Sequence, residues 1–257
     1  MKKYIFTIIS LLFASSIAIA DWEPNYKMHW PQLPDLSPTG VDVDNMNTAL
    51  GDDFKCVESG PISDIHIWGS FADDILPSAG VDSLTFKLSI YSDIPAGQQE
   101  PWSMPGVELW SEVFEAGQYK TRLVADKSVE DWYDPATGLY LNDNHLQAYQ
   151  FNFYTDDPFI QEYCNIYWLV AEILTDNPDF TFGWKTTTVE CVDLRWGDDA
   201  AWLSPTGQWL PMTYPLGHEF AGQTLDLAFV ITPEPTTICL LGIGGLALLR
   251  RKRGYEA

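Results

Sequence analysis

Acidic and amide side chains stand close together at several points of this chain, where their oxygens could bind a calcium ion. The densest group is Asp42, Asp44, Asn45 and Asn47. Calcium takes about six to eight oxygen ligands, and loops at strand ends supply them readily. The group lacks the glycine and the closing glutamate of an EF-hand loop. We therefore expect either a structural calcium ion or a solvated acidic loop at this segment, and no other cofactor.

Tryptophans beside carboxylates form a second candidate site. The chain has 11 tryptophans, and those on predicted strands are expected in the core. Exposed aromatic rings stack on sugar faces while carboxylates accept hydrogen bonds from the hydroxyl groups. The residues predicted to form such a surface platform are Trp132, Trp196, Trp202 and Trp209. The pattern favours a carbohydrate-binding surface unless these rings also belong to the core.

Paired carboxylates could also hydrolyse glycosidic bonds. With 36 Asp and Glu residues, however, such pairs arise by chance. The histidines are scattered, and the chain contains neither an HExxH motif nor a GxSxG motif. We expect the protein not to be an enzyme, and glycoside hydrolysis is the least favoured alternative.

A period-two pattern predicts the strands that must position these residues. Leu84, Phe86, Leu88 and Ile90 alternate with polar residues, which places them on one buried face of a strand. The same reasoning predicts strands at 62–70, 107–114, 119–124, 148–154, 166–174, 180–189 and 225–231. Turn-rich connections without long amphipathic helices favour an all-β fold, a single antiparallel β-sandwich of jelly-roll or immunoglobulin-like type over residues 21–231.

The composition excludes some partners. Hydrophobic residues make up 46% of the chain, enough for a folded core. Fourteen Lys and Arg against 36 Asp and Glu give a formal net charge of −22. So acidic a protein repels nucleic acids and anionic lipid surfaces. We expect no nucleic-acid partner.

The N-terminus has the pattern of a secretory signal peptide. Lys2 and Lys3 precede an apolar run, and the small residues Ala18 and Ala20 stand just before Asp21. The apolar run is shorter than the roughly 20 residues of a spanning helix. Residues 1–20 are therefore predicted to be a signal peptide that is cleaved after Ala20.

The C-terminus, residues 232–257, has the pattern of a second targeting signal. Pro233, Glu234 and Pro235 precede an apolar run over 238–249 that is short for a membrane helix, and four basic residues follow. Those stop-transfer residues are Arg250, Arg251, Lys252 and Arg253, which the positive-inside rule retains in the cytoplasm. We expect contact with the membrane only through this short sorting helix.

This order of motifs resembles the PEP-CTERM sorting signal over residues 232–253. The resemblance implies that an exosortase transiently binds the Pro-Glu-Pro motif, cleaves near it, and releases or re-attaches the domain. It also implies a Gram-negative bacterium that makes exopolysaccharide, and a final location at the cell surface or in the extracellular matrix.

Because export is expected, two of the cysteines could form a stabilising disulfide. Cys164 and Cys191 flank predicted adjacent strands, and an oxidising compartment would permit a disulfide between them. The alternative is that these residues and Cys56 are small buried hydrophobic side chains.

The domain between the signal peptide and the sorting signal resembles an uncharacterised β-rich domain of other exported proteins with the same tail. The resemblance is carried by segments at 52–54, 64–69, 90–95, 105–110 and 166–169. It implies a fold class and no chemistry. We expect a structural or adhesive protein of the exopolysaccharide layer, with a carbohydrate-binding module as the alternative and exopolysaccharide as the partner.

Overall fold

β-strands are the main regular structure in the described part of the protein. The computed structural model describes residues 30–46, 48–56, 59–175, 179–188 and 199–233. The predicted signal peptide and nearly all of the predicted sorting tail lie outside these ranges. The strands are β1 Trp30–Gln32, β2 Val41–Asp44, β3 Leu50–Lys55, β4 Gly60–Phe71, β5 Phe86–Ile94, β6 Met104–Phe114, β7 Tyr119–Ala125, β8 Glu130–Asp134, β9 Leu139–His145, β10 Ala148–Gln161, β11 Ile166–Ile173, β12 Phe182–Lys185, β13 Ala201–Leu203, β14 Trp209–Pro211 and β15 Phe229–Pro233.

The strands form two sheets. A nine-stranded sheet has the order β1-β15-β4-β12-β2-β8-β9, and β10 joins β4 to β7 beside this path. A six-stranded sheet has the order β14-β13-β3-β11-β5-β6. Short 3-10 turns at Ala72–Asp74 and Val81–Ser83 lie in the connection between β4 and β5. In the described part of the chain, no helix is long and apolar enough to span a membrane.

The core lies between the two sheets, so the predicted sandwich is confirmed. Phe86 of the six-stranded sheet contacts Phe151 and Phe182 of the nine-stranded sheet, with ring centroids 5.2 and 5.6 Å apart. Phe54 and Phe229 meet in the same way at 6.1 Å. Alternation explains the packing, because every second residue of a strand points to the same face.

One strand pair corrects the expectation of a wholly antiparallel sandwich. β2 and β8 run parallel, with Val41 opposite Asp131 and Val43 opposite Tyr133. Parallel neighbours need a long crossover connection. The chain supplies it here, because β3 to β7 intervene between β2 and β8.

The predicted strands are confirmed with altered ends. The expected strand at 180–189 is shorter in the structure and spans Phe182–Lys185. Val189 lies outside the described residues. The expected strand at 225–231 starts later and extends to Pro233. β2, β3, β8 and β9 are among the strands that were not predicted, and three of them, β2, β8 and β9, carry residues of the candidate site.

Candidate functional site

Four ionisable side chains meet where β12, β2, β8 and β9 lie side by side. Lys185 of β12 stands directly opposite Asp42 of β2. Glu130 begins β8, which is the other neighbour of β2. His145 ends β9 and stands opposite Glu130. The strand register alone therefore brings two carboxylates, an amine and an imidazole together.

These side chains lie on the outer face of the nine-stranded sheet. Val41, Val43 and Trp184 belong to the core between the sheets. Because successive residues point to opposite faces, Asp42 and Lys185 point away from that core. They are nevertheless sealed from water, since Asp42, Glu130 and Lys185 are each 0% exposed.

Close packing seals the cluster. The Trp132 ring lies over Gly183, where an added Cβ would stand 2.8 Å from the indole. The same indole meets His145 edge to face at 6.0 Å. At Gly40, a Cβ would lie 3.0 Å from Oε2 of Glu130 and 2.3 Å from the Asp35 carbonyl oxygen. Both positions require glycine because a ring or a backbone approaches too closely for a side chain.

Lys185 is the centre of the hydrogen bonding. Its Nζ donates to Oδ2 of Asp42 at 2.5 Å and also to Oε2 of Glu130. Nε2 of His145 bonds the same Oδ2 of Asp42 at 2.8 Å. The remaining oxygens, Oδ1 of Asp42 and Oε1 of Glu130, have no hydrogen-bond partner among the described residues.

The charges of the cluster shift its pKa values. Burial raises the pKa of Asp42, but Lys185 and His145 outweigh it and hold this pKa below its ordinary value. Burial likewise lowers the pKa of His145, but the Asp42 carboxylate outweighs it and raises this pKa. The cluster thus sets two acidic side chains, Asp42 and Glu130, against two basic ones, Lys185 and His145.

The arrangement places an ammonium group where a metal ion would bind. Asp42, Glu130 and His145 offer ligand atoms within 4.8 Å of one another. However, the Lys185 ammonium already occupies the place between both carboxylates that a metal cation would take. The described residues also bury Asp42, Glu130 and Lys185 completely. The chemistry open to this cluster is therefore chemistry among its own side chains.

Comparison with protein families identifies both parts of the chain. A family model described as domain of unknown function DUF7901 matches residues 28–232. The chain belongs to the DUF7901 family. A second model, the PEP-CTERM protein-sorting motif, matches residues 232–253. No curated protein and no solved structure matches the chain.

The match at 232–253 confirms the predicted sorting signal. It makes this DUF7901 protein an exported protein that is sorted by exosortase to the cell envelope or surface. Pro233, the first residue of the Pro-Glu-Pro motif, is also the last residue of β15. Glu234, Pro235 and the basic residues 250–253 lie outside the described residues.

The predicted calcium ligands of the DUF7901 domain do not form a loop. Asp42 and Asp44 belong to β2, and Asp42 binds Lys185 instead. Asn45 is fully buried, and Asn47 lies outside the described residues. The interpretation as a four-ligand loop is therefore wrong for Asp42, because a lysine far along the chain neutralises it. Calcium binding near Asp44 stays a prediction, which a fall in Tm on adding EDTA would support.

Asp44 predicts a pH dependence of stability. Burial, together with the nearby Asp134, raises its pKa to about 6. The folded state thus disfavours the ionised form, so stability falls as the pH rises from about 4 to about 6 and stays low above that. Asp44→Asn keeps the oxygen that accepts the Met46 backbone N–H at 2.8 Å.

We expect Asp44→Asn to raise the free energy of unfolding by up to about 3 kcal/mol near pH 7.5 and to leave it unchanged near pH 4. Urea unfolding at both pH values measures the difference. An equal gain at both would show that ionisation of Asp44 is not the cause.

The predicted tryptophan platform is divided by the fold. Trp132 is 2% exposed and covers the charge cluster, so its assignment to the surface is wrong. Trp202 is partly buried against the main core, whereas Trp209 packs on the outer face of the six-stranded sheet. Successive residues of a strand point to opposite faces, so Trp202 on β13 and Trp209 on β14 lie on opposite faces of the sheet. Trp196 lies outside the described residues.

The cysteines leave the predicted disulfide open. Cys164 is exposed and forms no disulfide with any described residue, and Cys191 lies outside the described residues. Cys56 is buried, donates from Sγ to Oε1 of Gln161, and has a pKa raised by burial to about 12. Cys56 is therefore an unreactive thiol. The Cys164–Cys191 bond stays a prediction.

Sequence reasoning missed Lys185, Glu130 and His145 as members of one site. One signal was available: Lys185 directly follows Phe182, Gly183 and Trp184 in a predicted strand. A lysine among buried aromatic residues must find a buried carboxylate, since lysine is almost never fully buried without a partner. Which carboxylate it finds depends on the register.

Proposed function

We propose that the DUF7901 domain is a structural or adhesive component of the exopolysaccharide layer at the cell surface and not an enzyme. The sorting motif supplies its route to the cell envelope. The observation that carries the proposal is that its convergent ionisable side chains are sealed, with Asp42, Glu130 and Lys185 at 0% exposure. A catalytic cluster for an external substrate needs access, whereas a scaffold needs only a stable fold.

An open groove on the surface of the domain supports the same proposal. It has a volume of about 580 Å³ and lies between the ends of β10 and β11, with Phe159, Tyr167, Glu162 and Asn165 in its wall. The groove is open to solvent, and it does not reach the buried cluster. It therefore provides a surface for contact with a partner and no enclosed reaction chamber.

Sorting is tested by Glu234→Ala. The exosortase recognises the Pro-Glu-Pro motif, so this variant is expected to keep its tail and to accumulate as a longer, membrane-retained form. Mass spectrometry of the membrane and extracellular fractions measures both. Glu256→Ala, beyond the motif, is the matched control. An unchanged mature mass in the Glu234 variant would contradict sorting through this motif.

Carbohydrate binding is the second candidate, and an aromatic patch on the outer face of the six-stranded sheet favours it. Tyr91 and Trp209 meet edge to face at 6.3 Å, and Nε1 of Trp102 donates to the Trp209 carbonyl oxygen at 3.4 Å. The hydroxyl of Tyr91 donates to Oε2 of Glu108 at 3.1 Å. Partly exposed rings beside a carboxylate could bind sugar.

A binding experiment distinguishes a structural scaffold from a carbohydrate-binding module. The exported protein is titrated with native exopolysaccharide, with calcium present. A binding module predicts saturable binding that Trp209→Ala weakens, while Tyr154→Ala, at a 53% exposed aromatic on the other sheet, leaves it unchanged. A scaffold predicts no saturable binding in any of the three proteins.

A further inference from the structure

We infer that Lys185 and Glu130 condense to form an intramolecular amide bond, with Asp42 as the group that accepts and returns the proton. The bond would join Nζ of Lys185 to Cδ of Glu130 inside the folded DUF7901 domain. It would be a modification that the protein makes on itself. The inference is independent of the adhesive role proposed above.

Position is the first argument. Nζ of Lys185 contacts Oε2 of Glu130, so nucleophile and acyl group already touch in the folded protein. Asp42 stands opposite Lys185 and is hydrogen bonded to the same Nζ at 2.5 Å. Two reactive groups that a fold holds in contact have an effective concentration far above that of the same groups free in solution. The β-sheet register and the ring of Trp132 fix all three side chains.

Burial is the second argument. A lysine–carboxylate pair that is sealed from water loses the hydration that stabilises its charged form. Transfer of one proton from the ammonium to Glu130 gives a neutral amine and a neutral carboxylic acid, which are the reactive species. Glu130 is the better acyl group because Lys185 is its one hydrogen-bonding partner among the described residues, and its Oε1 has none.

The reaction balances without any added reagent. The neutral amine of Lys185 attacks Cδ of Glu130 and forms the N–C bond. The amine proton passes to the Asp42 carboxylate, which returns it to the departing hydroxyl as the C–O bond breaks. The products are one amide and one water molecule, and nothing is oxidised or reduced.

Charge balance after the reaction is the third argument. Condensation removes one positive and one negative charge and leaves Asp42 with His145, which bond at 2.8 Å. Those two groups can remain as a buried ion pair, because each shifts the pKa of the other toward the charged form. Asp42 therefore has a partner before and after the reaction, as a proton relay requires.

The consequence is a covalent link between strands that do not pair with each other. β12 and β8 are both neighbours of β2 and lie on its opposite sides. An amide from Lys185 to Glu130 would cross over β2 on the outer face of the sheet. It would hold three strands together even where the hydrogen bonds between them open.

Intact mass spectrometry of the purified exported protein under denaturing conditions tests the inference. We expect a mass lower than the sequence mass by one water, and a cross-linked peptide pair that contains Glu130 and Lys185 after proteolysis. A mass equal to that of the mature sequence would overturn it. A loss of water located at any other residue would overturn it equally.

Variants test the assigned roles. Glu130→Gln should lose ammonia instead of water and reach the same final mass as the condensed wild-type protein. Asp42→Asn should retain the uncondensed mass, because its amide cannot accept the proton. Asp126→Asn, at an exposed carboxylate outside the cluster, is the matched control and should condense. Condensation in Asp42→Asn at the wild-type rate would contradict the role of Asp42, and the wild-type mass remains decisive if a variant fails to fold.

Discussion

Lys185→Met is expected to lower the free energy of unfolding by about 3–5 kcal/mol, because it leaves two buried carboxylates facing one imidazole. Lys185 donates to both Asp42 and Glu130, and all three side chains are fully buried. Methionine has a similar length but no charge, so the change removes the interaction with little change in volume. Urea unfolding at neutral pH measures the loss.

Two comparison proteins separate charge from packing in this experiment. Lys127→Met, at an exposed lysine, should change stability by less than about 0.5 kcal/mol. Adding Glu130→Gln to Lys185→Met should recover part of the loss, because it removes one uncompensated charge. If Lys185→Met is as stable as the wild type, the buried cluster is not a determinant of the fold.

Trp132→Ala is expected to destabilise the domain by about 3–5 kcal/mol, the usual loss for a large aromatic side chain removed from a core. Its indole packs on Gly183 and on His145, and it separates the charge cluster from solvent. The variant should therefore lose packing and also hydrate the cluster. Thermal and urea unfolding of the purified domain measure the effect.

Trp209→Ala provides the contrast for Trp132→Ala. Trp209 is only partly buried, on the outer face of the other sheet, so its removal should reduce stability much less. A surface platform at Trp132 would predict the reverse pattern, with a small loss of stability and a loss of sugar affinity. Equal losses in the two variants would contradict the different burial of the two rings.

The sequence predicted the strands whose apolar alternation is clean. β5 is the clearest example, because its inward residues Phe86, Leu88 and Ile90 are apolar while Lys87 and Ser89 between them are polar. β2 was instead interpreted as a calcium loop, since its alternate residues Asp42 and Asp44 are charged. The charge of Asp42 is compensated by Lys185, which comes from a strand more than a hundred residues later.

The candidate site could not be predicted for the same reason. Its members lie on four strands, and period-two reasoning says which face a side chain takes but not which strands become neighbours. The parallel pairing of β2 with β8 is especially hard to predict, because antiparallel neighbours are the rule in a turn-rich chain. Local residue patterns indicated the tail and the fold class, whereas distant pairing determined the chemistry.

β15 has a consequence for the order of folding during export. It lies between β1 and β4, so β1 cannot join the nine-stranded sheet until residues 229–233 have been exported. Pairings between strands so distant in sequence form slowly. The ectodomain can thus complete this sheet only when translocation has reached the sorting motif. We therefore expect the last strand of this sheet to form late in export, immediately before the sorting motif emerges.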